Sequence, residues 1–190
     1  MVNLCAPGEQ VSGDAWHCAV QDGRASLMVA DGLGHGPLAA EAAQAAVAVF
    51  DAAPLEPGPR LLERAHARLR STRGAAVSVL AADADANTLR FCGIGNVTGR
   101  MVSGVVDRTM LSQHGTVGLQ MRAPQEQPYD WPDHALLVLH SDGLASRWSL
   151  KDHGGALQLH PTLVAALLVR DHVRGRDDVT VAVLARAAHH

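Results

Sequence analysis

The alternation of apolar and polar positions divides the chain into short strands and a few helices. Residues 9–20 predict one strand and residues 24–31 (Arg-Ala-Ser-Leu-Met-Val-Ala-Asp) a second. Gln21-Asp22-Gly23 between them has hairpin-turn composition. The second strand runs into Asp31-Gly32-Leu33-Gly34-His35-Gly36-Pro37, a sharp glycine-rich turn. Leu38 to Asp51 is rich in alanine, the best helix former, and predicts a long helix. Pro54, Pro57 and Pro59 break the chain. A second helix is predicted from Arg60 to Arg70, with Leu61, Leu62, Ala65 and Leu69 as its apolar stripe.

From residue 75 the period shortens to that of strands. Ala76–Ala82, Thr88–Cys92, Val97–Val102 and Val105–Leu111 are predicted strands, the last two forming a hairpin around Ser103-Gly104. A loop with Pro124, Pro128 and Pro132 leads to the fully apolar strand Ala135–His140, which ends at Ser141-Asp142-Gly143. A helix from Pro161 to about Arg170 follows. Gly175-Arg176-Asp177-Asp178 then opens the strand Val179–Leu184. Parallel βαβ alternation is missing. The expected class is α+β, with helices covering stacked, mainly antiparallel sheets. No repeat or domain-sized linker interrupts the pattern, so residues 1–188 read as a single domain. His189 and His190 are set aside as a candidate tag remnant.

Composition refines this picture. The length of 190 residues suits one domain, and the 47% apolar share supplies a sizeable core. Aromatics are only 3%, so that core is built from Ala, Val and Leu. The net charge is -3, with no basic stripe to neutralise a phosphate backbone, which argues against a nucleic-acid partner. Arg60, Arg64, Arg68, Arg70 and Arg73 fit the solvated face of a helix. Cys5, Cys18 and Cys92 include no Cys-x-x-Cys pair, which excludes zinc-ribbon and thioredoxin chemistry. An odd cysteine count without a signal peptide predicts reduced thiols and a cytoplasmic home. No apolar run reaches the roughly 18 residues of a membrane span.

Four aspartates share one local grammar. Asp14 follows Gly13 in a predicted strand. Asp31 and Asp142 sit at strand ends, each before a glycine, and Asp177 precedes the last strand. Carboxylates at the ends of neighbouring strands can converge on one point, where they would repel one another. Hard divalent cations take carboxylate oxygen and would neutralise them. Two such ions can hold a phosphate oxygen and activate water for in-line hydrolysis of a phosphomonoester. Any one Asp-Gly is also an ordinary turn dipeptide, and Asp22-Gly23 reads as that ordinary case.

The joint pattern resembles a known family. Val29-Ala30-Asp31-Gly32-Leu33-Gly34-His35-Gly36, Ser141-Asp142-Gly143-Leu144 and Gly175-Arg176-Asp177-Asp178-Val179-Thr180 look like the motifs of metal-dependent PP2C-type (PPM) phosphatases. Ser12-Gly13-Asp14-Ala15-Trp16 and Gly93-Ile94-Gly95-Asn96-Val97 match the compact bacterial SpoIIE/RsbU/RsbX-like branch, and the short form is most similar to RsbX, which has no sensor domain. The resemblance runs from about residue 9 to 185. It implies an α-β-β-α sandwich and a binuclear Mn²⁺ or Mg²⁺ site in a cleft at one edge, with a third ion allowed. Asp14, Asp31, Asp142 and Asp177 would be the metal-site carboxylates. Asp31 would bridge the ions, Gly32 would offer its carbonyl, and Asp178 would hold the loop or a nearby water. The implied activity is removal of phosphate from serine or threonine of a regulatory protein, a STAS-type antagonist or stressosome-like scaffold, by a monomer or weak dimer.

The sequence also departs from the wider family. Leu33 stands where eukaryotic relatives carry a histidine after Asp-Gly. His35 is the alternative general acid, or else a helix-start packing residue. The phosphate-gripping arginine of those relatives has no counterpart between Cys5 and Asp14, which leaves the metal ions, Arg176 or Arg147 for that task. The glycines at 93–99 lack dinucleotide spacing, and those at 32–36 lack the Lys-Ser/Thr of a P-loop. Trp16, Trp131 and Trp148 read as packing or partner-surface groups. Two other functions stay open: a phosphatase fold that binds its partner without turnover, and a hydrolase of small phosphoesters.

Overall fold

The computed structural model describes residues 1–151 and 153–186, so the histidine pair at 189–190 lies outside the described residues. In chain order the first elements are β1 (Val2–Leu4), β2 (Asp14–Gln21), β3 (Arg24–Gly32), α1 (Pro37–Asp51), α2 (Gly58–Leu69) and β4 (Ala75–Asp83). Next come β5 (Thr88–Ile94), β6 (Thr98–Val102), β7 (Asp107–Thr109), β8 (Gly115–Thr116), β9 (Gln120–Met121) and β10 (Gln127–Asp130). The chain continues through β11 (Leu136–His140), α3 (Pro161–His172) and β12 (Val179–Leu184).

Two five-stranded sheets result, ordered β10-β5-β4-β3-β2 and β1-β12-β11-β6-β7, and their strand pairs are all antiparallel. The expected α+β sandwich is therefore present. Its core has three layers, set by the two-residue period of the strands. On β3, Met28 and Ala30 pack with Ala42, Ala46 and Phe50 of α1 and Leu61, Leu62 and Leu69 of α2. Leu27 and Val29 point the other way, into a middle layer with Leu80, Phe91, Leu137 and Leu139. The third layer joins Val138 and Val181 to Val164, Ala165 and Leu168 of α3. Alanine on the inner face of α1 lets the helix lie close to the sheet, which answers the scarcity of aromatics.

Several boundaries differ from expectation. The strand placed at residues 9–20 begins only at Asp14. Gly13 is packed too tightly for a strand residue with a side chain: a Cβ there would stand 2.7 Å from Asp178 Oδ2 and 2.8 Å from Ala39 Cβ. Val105–Leu111 shrinks to Asp107–Thr109, because the Ser103 hydroxyl accepts the Val106 N–H at 2.9 Å and tightens the turn. The proline-containing loop holds a strand, β10. Proline lacks an N–H but is tolerated there because β10 is an edge strand, bonded only to β5. The arginine run does not share one helix face. The chain turns after Leu69, whose carbonyl accepts both the N–H (2.9 Å) and the hydroxyl (2.8 Å) of Thr72. Arg73 lies beyond α2.

Candidate active site

The face that buries Leu27 and Val29 between the sheets continues to Asp31 at the end of β3. Asp31 pairs across the ladder with Asp14 on one side and Ala76 on the other. Asp14 and Asp31 are thus the last positions of the middle layer, at one edge of the sandwich. The opposite sheet ends in the same way. Leu139 is followed two residues later by Ser141, and Ala182 is preceded by Thr180 and Asp178. Ser141, fully buried, donates its hydroxyl to Asp14 Oδ2 at 2.6 Å and accepts the Thr180 N–H at 2.9 Å. One hydroxyl therefore ties the two sheets together at the carboxylates.

Asp142 follows Ser141 and extends to the same place. Its backbone lies beside the Asp31 carboxylate. Its own Oδ2 accepts from Asn96 Nδ2 at 2.6 Å. The Asp177 carboxylate accepts the Asp178 N–H at 2.9 Å. Asp178 is turned inward: its Oδ1 accepts the Ala6 N–H at 2.8 Å, while Oδ2 is buried without a partner among the described residues. His35 stands in the turn after β3, exposed, with Nδ1 2.6 Å from Glu9 Oε1. It provides no side-chain cap to α1, whose cap residue is Gly36.

Gly32 and Gly143 serve close approach, whereas Gly34, Gly36, Gly95 and Gly175 of the same motifs take positive φ. A Cβ on Gly32 would overlap the backbone of Ala39 in the first turn of α1, and one on Gly143 would overlap the Asp178 carbonyl. These two contacts seat the Asp31 and Asp142 turns against their neighbours.

The electrostatics follow from this crowding. Burial pushes the Asp31 carboxyl up to about 8, and the nearby charges of Asp14, Asp142 and Asp177 add to the rise. Asp14 is pushed up to about 7, first by burial and with contributions from Asp178 and Asp177, against the pull of the Ser141 hydroxyl. Neither carboxylate joins an ion pair among the described residues. A set of buried and half-buried oxygen donors, paired with no basic side chain among the described residues and with an orphaned Asp178 oxygen beside it, fits a hard divalent cation. Among the described residues no three His, Cys, Asp or Glu side chains are already closed to ligand geometry. Ions held partly by water would suit such an open set, as Mg²⁺ prefers.

All four aspartates singled out from sequence meet at this edge, with the Gly32 backbone beside them. Asn96 and Ser141 escaped that selection. Both lie within quoted motifs, but their partners, Asp142 and Asp14, are 46 and 127 residues away. A polar residue next to a motif glycine or aspartate was the available signal.

Two stacked antiparallel sheets, helices on both outer faces and a carboxylate cluster at one edge define the PP2C-like class of fold. The chain belongs to the SpoIIE family, whose model, Stage II sporulation protein E (SpoIIE), matches residues 21–189. Phosphoserine phosphatase RsbX of Bacillus subtilis (strain 168) is 30% identical over 90 residues, which are 47% of this chain and 45% of that protein. The matched segment thus spans less than half of the relative's length. A structure of RsbX in complex with magnesium superposes with a TM-score of 0.81 at 22% identity, covering 96% of this chain and 91% of that one. A bacterial stressosome protein, from a modular system adapted to control secondary messenger signalling, gives a TM-score of 0.89 at 26% identity, with 96% and 95% coverage. The PP2C phosphatase domain of SpoIIE from Bacillus subtilis gives 0.72 at 15% identity, covering 96% of this chain and 61% of that one.

Proposed function

We propose that this protein is a metal-dependent serine/threonine phosphatase that dephosphorylates a regulatory partner protein of the STAS type in the cytoplasm. The observation that carries the reading is the convergence of Asp14 and Asp31, both raised in pKa, with Asp142 and Asp177, none of them in an ion pair among the described residues. Asp14, Asp31, Asp142, Asp177 and the Gly32 carbonyl would hold two ions, Mn²⁺ or Mg²⁺. When bound, such ions neutralise phosphoryl oxygens and activate the attacking water.

The chain's own groups do the rest. Ser141 fixes the orientation of Asp14, and Asn96 that of Asp142. Asp31, with Asp14, Asp142 and Asp177 as neighbours, would be the central group among those that hold the ions. Asp178 anchors the N-terminal segment through Ala6 rather than facing the substrate. His35, steadied by Glu9, is the candidate to hand a proton to the leaving serine or threonine oxygen. The phosphoprotein substrate class is supported by the likeness to RsbX, a phosphoserine phosphatase, and to the stressosome protein.

Hydrolysis of an aryl phosphate with Mn²⁺, with Mg²⁺ and with EDTA, by wild type and Asp31→Asn, tests the reading. Turnover that needs metal and is lost in the variant is expected. Equal turnover in EDTA, or full activity in Asp31→Asn, would overturn the assignment. A phosphorylated STAS protein as substrate then tests the partner.

A further inference from the structure

The acidic edge leaves one requirement unmet. A phosphate dianion approaching five aspartates needs a fixed cation besides any bound metal, and no basic residue lies between Cys5 and Asp14. Four arginines stand on segments that lead to or from the cluster, Arg147 following Asp142 and three others preceding its members. Arg174 and Arg176 precede Asp177, and the Arg174 N–H donates to the Gly143 carbonyl at 2.8 Å. Arg73 stands two residues ahead of β4. Ala75 of β4 pairs with Gly32, and Ala76 with Asp31. Arg73 therefore emerges at the end of the sheet where Asp31 lies.

The contacts of Arg73 extend that placement to its side chain. The Leu33 N–H donates to the Gly74 carbonyl at 3.0 Å, clamping the Arg73-Gly74 segment to the turn that follows Asp31. The guanidinium Nη1 lies against Gly34, where a Cβ would stand only 3.2 Å from it. Gly34 in turn backs onto Gly13: a Cβ on Gly13 would lie 3.4 Å from the Gly34 carbonyl and 2.7 Å from Asp178 Oδ2. Guanidinium, glycine turn and carboxylate edge are consecutive neighbours. The side chain is exposed and joins no ion pair among the described residues, as is also true of Arg147, Arg174 and Arg176, so its contact with the Gly34 turn is what distinguishes it.

We propose that Arg73 is the phosphate-binding residue of this site, gripping the phosphoryl oxygens of the substrate across the glycine turn; the proposal rests on the phosphatase reading above. Arginine is the right residue type. Its planar fork is always charged and matches two phosphate oxygens at once, where a lysine offers a single point charge. Gly34 contributes by its missing side chain, which leaves the guanidinium room over the turn.

The test is binding of inorganic phosphate in the presence of Mn²⁺ by titration calorimetry, alongside KM for an aryl phosphate and Mn²⁺ affinity. Arg73→Ala should weaken phosphate binding and raise KM by about 10- to 100-fold, the scale of hydrogen bonds to a charged group, with Mn²⁺ affinity unchanged. Arg73→Lys should fall between the two. Unchanged phosphate affinity in Arg73→Ala overturns the proposal. So does a parallel loss of Mn²⁺ affinity, which would make Arg73 a support of the turn, or a loss confined to Arg174→Ala or Arg176→Ala. Wild type that binds phosphate through Arg73 but hydrolyses no phosphoester with any metal would keep the anion site and sink the phosphatase reading.

Discussion

Ser141 of one sheet donates its hydroxyl to Asp14 of the other at 2.6 Å, and the same oxygen accepts the Thr180 N–H. The carboxylate of Asp14 is thereby aimed by a residue of the facing sheet. Ser141→Ala leaves a buried carboxylate oxygen and a buried N–H unpaired, costing about 1–3 kcal/mol of stability. Mn²⁺ affinity should fall by about 10–100-fold, as when a ligand loses the group that orients it. Thermal melting and Mn²⁺ titration check this. Wild-type values for both would show that Asp14 is held by other means.

Asp31→Asn separates site from scaffold. Aryl phosphate turnover should drop by at least about a hundredfold, the scale of losing one transition-state stabilising group. The melting temperature in EDTA near pH 7 should not drop, because the amide replaces a carboxyl that burial already holds largely protonated. A variant that unfolds in EDTA would instead make Asp31 a structural residue.

Metal-free stability should decline with rising pH between about pH 6.5 and about pH 8.5. Asp14 and Asp31 ionise near about 7 and about 8 in the folded protein, against an ordinary value of 3.8. The folded state keeps protons that the unfolded chain has released, so its stabilisation is full at low pH and is lost as pH rises through the folded values. The amine of Met1, lowered by burial, opposes this as one group against two. Buried His140, also lowered, opposes it only below its ordinary 6.5. Melting in EDTA across this window checks the slope. Saturating Mn²⁺, which binds the ionised carboxylates, should flatten it, and so should Asp31→Asn in part. A metal-free melting point that rises across the window would contradict the burial of these carboxyls.

Gly143→Ala and Gly154→Ala form a matched pair. A Cβ on Gly143 would overlap the Asp178 carbonyl, whereas one on Gly154 meets nothing within 4 Å. The first should destabilise by roughly 3 kcal/mol or more and displace the Asp142 turn, and the second should change stability by under about 0.5 kcal/mol. Chemical denaturation of both distinguishes them, and equal effects would deny the close approach.

Much of this was legible in the chain itself. The apolar run Leu27–Ala30 ending at Asp31 marks the strand and its terminal carboxylate, but not the face, because both faces of β3 are buried. The alanines of α1 and the stripe at Leu61, Leu62, Ala65 and Leu69 mark the helices. The pieces that were not legible depend on partners far along the chain. Val2–Leu4 is a strand only because β12 lies beside it. Gln127–Asp130 carries a proline that argues for a loop until its edge position is known. Arg73 continues an arginine run that suits a helix, and only the turn at Leu69–Thr72 takes it off that helix. Asn96 and Ser141 acquire their meaning from carboxylates on other strands.

The bond from the Ala6 N–H to Asp178, beside the pairing of β1 with β12, means that residues from both extremes of the described chain close the acidic edge. Synthesis runs from one extreme to the other. A nascent chain that has displayed Asp14 and Asp31 but still holds residues 177–184 inside the ribosome has an unfinished sheet and no complete carboxylate set. The acidic edge therefore cannot close before β12 has been made, and no amino-terminal fragment that stops short of β12 can possess it.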